Sequence, residues 1–246
     1  ILLLAIIAGL VFWPRRNPLP SSQLANATIN QSHTATVLAV TIPPSGEQVI
    51  SSSYDKQIKL WNIDTGQLDN TFSEHSGRVN SITLAQGILA SGGGGGTIRL
   101  WNLDNNQQTQ VFSESNRILS VAISPDGQTL ASGDNEGQIV LRNIATGQVL
   151  NTIKAHTAQI NSLVFSPTNA NILVSASHDA TVKVWDMSQG GNEPKFTLED
   201  NTDRVYSLAI SPDGTQLASG SYDEDIRIWN LATGELEKTL KGHAFV

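Results

Sequence analysis

Apolar and polar positions alternate in short runs along most of this chain, and turn-forming residues separate the runs. "VYSLAIS" (205–211) alternates apolar with small or polar residues, "PDG" (212–214) turns the chain, and "TQLASGS" (215–221) alternates again. "DIRIWNL" (225–231) follows, and "ATGE" (232–235) leads into "LEKTL" (236–240). A period of two over four to eight residues predicts a half-buried strand. Pro-Asp-Gly supplies a fixed φ and then a residue tolerant of positive φ, as a tight hairpin needs. The pattern therefore predicts four short antiparallel strands in succession. The same plan occupies 121–150, with "VAISPDGQTLASG", "IVLRN" and "ATGQVL".

The plan recurs at nearly constant length. "SYDKQIKLWNIDTG" (53–66) returns almost intact as "SYDEDIRIWNLATG" (221–234). Five units align on Trp61-Asn62, Trp101-Asn102, Arg142-Asn143, Trp185-Asp186 and Trp229-Asn230, at spacings of 40, 41, 43 and 44 residues. Ten residues before that column stands a serine in every unit: Ser51, Ser91, Ser132, Ser175 and Ser219. Six before it stand Asp55, Gly95, Glu136, Asp179 and Asp223; at the head of the units stand His33, His75, Glu114, His156 and Asn201. A period of 40–45 residues with a Trp-Asx pair marks a four-stranded unit repeated around a ring.

On these columns the chain resembles the WD-repeat β-propeller family, in its bacterial membrane-tethered form, over residues 23–246. The fold class is all-β: five visible blades near 33–74, 75–114, 115–155, 156–200 and 201–242, with parts of one or two more and an incomplete final blade at 243–246. By that resemblance the ring has seven blades, and the chain is read as a piece cut at both ends. The resemblance also implies a buried hydrogen-bonded tetrad in the complete blades, His33–Ser51–Asp55–Trp61 and His156–Ser175–Asp179–Trp185. Ser53 and Ser177 are the alternative hydroxyls. Three blades depart from the pattern. Gly95 lies inside "SGGGGGT" (91–97), where the glycines predict the loosest hairpin, and Asn201 replaces a histidine. In the third unit an Arg142–Glu136 ion pair is expected in place of the neutral network, and blades one and four are expected to be the best ordered.

Composition narrows the function. A net charge of −7 argues against nucleic acid or an anionic membrane surface as a bulk electrostatic partner. Without cysteine there is no thiol nucleophile, thiolate zinc site or disulfide. Four of the five histidines fall at the repeat spacing, which makes them structural rather than metal ligands; His178 is the exception. The glycine run lacks the Lys-Ser/Thr and the following helix of a phosphate loop. No paired carboxylates or nucleophile–base set stands outside the repeat columns, so neither enzyme, cofactor nor small-molecule substrate is expected.

The variable columns carry the functional expectation. Before each inner strand stand Thr36, Arg78, Arg117, Gln159 and Arg204; before the turn column stand Tyr54, Gly94, Asn135, His178 and Tyr222. The resemblance places these on the top rim, where family members bind partners. Tyr54, Arg78, Arg117, His178, Arg204 and Tyr222 are thus the candidate contacts for a protein or peptide. Arginine and tyrosine are enriched at interaction hot spots. The competing reading is ordinary surface arginines satisfied by neighbouring acids.

The apolar run 1–13 ends at Trp13-Pro14-Arg15-Arg16, the pattern of an interfacial edge. It is read as the end of a single transmembrane span followed by a linker, 14–22. A signal segment is the rival, with "ANA" (25–27) as its small-residue site. Arg15-Arg16 favours a cytoplasmic propeller, whereas the layout of bacterial Ser/Thr kinases, a span and then a propeller, places it outside. That layout gives the alternative function: the sensor or scaffold region of a larger signalling protein whose catalytic domain lies upstream.

Overall fold

The computed structural model describes residues 32–242, so the expected span, linker and final partial blade lie outside the described residues. Twenty strands form five antiparallel sheets of four, each strand paired with its sequence neighbour. The first sheet is β1 (Val37–Thr41), β2 (Gln48–Ser53), β3 (Ile58–Asn62) and β4 (Leu68–Phe72). The second is β5 (Val79–Ala85), β6 (Ile88–Gly93), β7 (Thr97–Asn102) and β8 (Gln107–Ser113). The third is β9 (Ile118–Ile123), β10 (Thr129–Asp134), β11 (Gln138–Asn143) and β12 (Val149–Lys154). The fourth is β13 (Ile160–Phe165), β14 (Ile172–Ser177), β15 (Val182–Asp186) and β16 (Phe196–Leu198), and a 3-10 turn at Met187–Gln189 precedes its short last strand. The fifth is β17 (Val205–Ile210), β18 (Gln216–Ser221), β19 (Asp225–Asn230) and β20 (Leu236–Lys241).

Each sheet is a blade. The first strands β1, β5, β9, β13 and β17 pack successively on one another, which makes them the inner wall of the ring. The core divides accordingly into four clusters, one at each interface between adjacent blades. Ile50, Ile58 and Phe72 of blade one meet Val79, Leu89 and Trp101 of blade two. Ile98 and Leu100 meet Ile118, Val121 and Leu130; Ile139, Leu141 and Ile153 meet Ile160, Leu173 and Trp185. Val174, Val182 and Leu198 meet Val205, Leu217 and Trp229. The aligned tryptophans are therefore inter-blade wedges: Trp101, Trp185 and Trp229 are each 1% exposed, and the Trp101 ring lies 4.3 Å from Phe72. Alternation is satisfied on both faces of the three middle blades because each of those faces meets a neighbour.

Every inner strand begins with a register shift, which leaves Leu38, Asn80, Leu119, Asn161 and Tyr206 as bulged residues. A bulge turns one side chain out of the ladder. Here Asn80 Nδ2 donates to the Ile118 carbonyl at 2.6 Å and Asn161 Nδ2 to the Val205 carbonyl at 2.7 Å, each reaching the next blade. Asn161→Ala leaves that carbonyl without its partner and is expected to cost about 1 kcal/mol in denaturant unfolding; an unchanged midpoint would show the latch to be idle.

The glycine run of blade two runs close against its neighbours. A Cβ on Gly92 would stand 2.6 Å from Ile118 Cγ2, and one on Gly94 3.0 Å from Arg78 Cγ. These glycines admit close neighbours, the next blade on one side and the Arg78 stem on the other.

Candidate functional site

The buried networks come first, because they set the hairpins that carry the rim. In blade one, His33 Nε2 lies 2.8 Å from Ser51 Oγ, Trp61 Nε1 donates to the same oxygen at 2.8 Å, and His33 Nδ1 is 2.8 Å from Asp55 Oδ2. Blade four repeats this: His156 Nε2 to Ser175 Oγ at 2.7 Å, Trp185 Nε1 to Ser175 Oγ at 2.9 Å, and His156 Nδ1 to Asp179 Oδ2 at 3.0 Å. The structure thus brings both expected tetrads together, through Ser51 and Ser175 rather than the alternative hydroxyls. Ser53 and Ser177 do another job, accepting the Asp55 and Asp179 backbone N–H at 3.1 Å.

The carboxylate also shapes the turn. Asp55 Oδ1 accepts from Gln57 N–H and Asp179 Oδ1 from Thr181 N–H, across Lys56 and Ala180, which have positive φ. Burial raises the Asp179 carboxyl, but hydrogen bonds from His156, Thr181 and Thr157 outweigh it and hold the group well below the ordinary carboxylate range. Asp55 is lowered in the same way by Thr34, His33 and Gln57 against its own desolvation.

The departing blades fill the same space with other chemistry. In blade two His75 Nε2 meets Ser91 Oγ at 2.7 Å, but Gly95 offers no carboxylate and Nδ1 meets Thr97 Oγ1 at 3.2 Å. Burial, with the Arg99 charge adding to it, pushes His75 down to about 4. In blade five the Arg227 guanidinium, 6% exposed, enters the space and donates to Asn201 Oδ1 at 3.1 Å and Asp223 Oδ2 at 2.8 Å. Blade three corrects an expectation: Arg142 pairs with Glu114, Nε at 3.1 Å and Nη2 at 2.5 Å, not with Glu136. Asp134, two residues earlier, takes over the turn by accepting Glu136 N–H at 2.9 Å and Gln138 N–H at 2.8 Å. Glu136 is thereby turned outward, where it accepts from Asn135.

The two variable columns prove to be the two ends of one backbone hydrogen bond. The N–H of Tyr54, Gly94, Asn135, His178 and Tyr222 donates to the carbonyl of Thr36, Arg78, Arg117, Gln159 and Arg204 respectively, at 2.8–3.2 Å. Each blade therefore presents one pair of variable side chains at the same corner. Arg78 donates to the Tyr54 hydroxyl, and its guanidinium lies 4.7 Å from that ring, joining blades two and one. Arg204 lies 6.0 Å over Tyr222, with Asp203 4.0 Å from its Nε. Arg117 takes its place through its backbone N–H, which donates to Asn135 Oδ1 at 2.9 Å. The three arginines thus stand at the same corner of three blades, the second, third and fifth.

Tyr206 belongs to this surface although it stands in neither variable column. Its ring stands 5.2 Å from His178 and 6.1 Å from Tyr222, so an aromatic row crosses from blade four to blade five. Burial, and then the Arg204 charge, hold His178 below the ordinary imidazole value.

A cleft of about 530 Å³ lies elsewhere, between blades three and four beside Leu141, Asn151, Phe165 and Met187, and none of its lining side chains titrates. Among the described residues no group of three or more His, Asp or Glu side chains is placed to hold a metal ion.

Comparison with known proteins agrees with this geometry. The family described as IFT122 first beta-propeller matches residues 21–195, and the WD domain, G-beta repeat, matches 192–230. The chain belongs to the WD-repeat β-propeller family. Periodic tryptophan protein 2 of Arabidopsis thaliana is 31% identical to this propeller over 219 residues, covering 86% of the chain and 24% of that protein. Small ribosomal subunit protein RACK1y of Oryza sativa is 32% identical over 214 residues, covering 82% of the chain and 50% of that protein. Human WD repeat and SOCS box-containing protein 1 is 39% identical over 106 residues, 43% of the chain and 25% of that protein. The chain spans half or less of the length of these relatives. No helix among the described residues is long and apolar enough to cross a membrane.

Proposed function

We propose that this WD-repeat propeller is a non-catalytic scaffold that binds an acidic peptide segment on its top rim. The observation that carries the reading is the paired rim: Arg78 braced on Tyr54, and Arg204 over Tyr222 beside the His178–Tyr206 contact. Tyr54 and Tyr222 are 47% and 49% exposed, large aromatic surfaces held in fixed poses. A guanidinium braced by an aromatic ring is oriented for a carboxylate at little entropic cost, and the ring beside it takes an apolar side chain. The surrounding chain is acidic, so an acidic segment is attracted locally by the rim arginines and repelled elsewhere, which favours register over general stickiness.

Tethering at a membrane, as in the bacterial layout, is part of this proposal; the apolar run 1–13 closed by Trp13 and Arg15-Arg16 supports it. The signalling-protein reading makes the same rim the contact surface of a longer chain.

Selection from a random-peptide display library tests the binding. Enrichment of Asp and Glu beside an apolar residue, lost on Arg78→Glu/Arg117→Glu/Arg204→Glu, is expected. Selection of peptides with no acidic bias, retained by the triple variant, would contradict it.

A further inference from the structure

Blade three contains a small polar cavity that no side chain fills. It measures about 20 Å³ and lies between Glu114, Asn116, Ile118, Ser132, Asp134 and Val140. The other blades identify the place. His33, His75 and His156 put an imidazole on the serine of the same column, and in blade five Arg227 enters the equivalent space. In blade three Glu114 occupies the histidine position but turns away to Arg142, which itself replaces the tryptophan. Ser132 therefore lacks both partners of its counterparts in blades one, two and four, the imidazole and the indole N–H. The residue is 2% exposed, and its hydroxyl retains one long contact, 3.4 Å to the Val140 carbonyl. Beside it Asp134, 6% exposed, accepts a single side-chain donor on Oδ2, from Asn116 Nδ2 at 2.7 Å.

We propose that one ordered water molecule is a structural ligand of blade three, bound between Ser132 Oγ and Asp134 Oδ2 in the place of the missing imidazole. The volume decides the class of ligand. A cavity of about 10–15 Å³ or more admits one water when two to four polar partners surround it, and 20 Å³ meets that condition with no room for a second. An imidazole does not fit, and a bare cation needs six or more oxygen ligands that this cavity lacks. A water donates one hydrogen to each oxygen, so the serine–carboxylate chain that the histidine closes in blades one and four is closed in blade three by solvent. Glu114 lines that site while its carboxylate pairs with Arg142, and Asp134 holds the hairpin.

Two measurements on this chain test the inference. The first is electron density at better than about 1.8 Å. A peak about 2.7–3.0 Å from both oxygens is expected; a dry cavity, or a peak with contacts near 2.4 Å that mark a cation, would overturn the proposal. The second is the sign of a melting shift. Ser132→Val puts a methyl into the cavity and expels the water, so Tm is expected to fall by several degrees; Ser132→Ala removes one partner and lowers it less. If the cavity is dry, both substitutions remove a poorly bonded hydroxyl and Tm rises or holds, which would overturn the proposal.

Discussion

Asp179→Ala is expected to destabilise the propeller by about 2–3 kcal/mol, the cost of removing a part-buried carboxylate from the donors bonded to it. Its carboxylate faces His156 Nδ1, whose side chain has 0% exposure, and it accepts from the Thr157 and Thr181 N–H groups and the Thr181 hydroxyl. Alanine leaves each of those donors without its acceptor inside a tight hairpin. Glu136 occupies the same alignment column in blade three, yet Glu136→Ala is expected to shift stability by less than about 0.5 kcal/mol, since its carboxylate bonds only an exposed Asn135 amide. Urea unfolding of the two variants side by side measures the difference, and equal losses would refute the assignment of the turn in blade three to Asp134. Because the Asp179 carboxyl is depressed, its stabilisation is complete above the ordinary carboxylate range and is lost as pH falls below about 4.

The second large effect is the pH dependence that His75 imposes. An unfolded imidazole takes its proton near 6.5, whereas folded His75 does so only at about 4. Between those values the unfolded chain binds more protons, so stability falls as pH is lowered through the window and is complete above it. The difference amounts to about 3 kcal/mol between pH 7 and pH 4. The cause is local. Blades one and four set a carboxylate against Nδ1, while Gly95 leaves His75 with the Thr97 hydroxyl and the Arg99 charge. His75→Gln is expected to flatten unfolding free energy against pH by that amount over the window. Parallel curves for the variant and the parent would mean that the ring is protonated freely in the fold.

How much of this was legible depended on repetition. The serine column named the hub of the network in four of the five blades, and alternation with Pro-Asp-Gly and Thr-Gly turns named the strands, because both recur in register. Where a unit departs, its partner choice is set by geometry that a column does not contain. Glu136 sits in the turn column, but Asp134 reaches the same N–H groups from the strand end, and Arg142 is thereby left to Glu114. Arg227 was unremarkable as a strand residue until Asn201, shorter than histidine, left room for its guanidinium. Tyr206 joined the rim through a bulge, and a bulge is a register shift between strands, invisible in one strand's residues.

The glycine run shows the same limit from the other side. Five consecutive glycines read as slack, and composition alone does not show what lies against them: Ile118 beside Gly92 and the stem of Arg78 across Gly94. That crossing brings Arg78 to Tyr54, so the weakest stretch of blade two by composition supplies one of the two braced arginines of the rim.

The central claim, that the braced rim arginines hold an acidic segment, is tested most directly by fluorescence anisotropy with a labelled acidic peptide selected on the parent chain. Arg78→Glu/Arg204→Glu is expected to weaken binding at least about tenfold, with Tm within about 2 °C of the parent and an affinity in the parent that declines as salt rises. Unchanged affinity in that variant, with the fold intact, would contradict the account and move the binding surface off the rim.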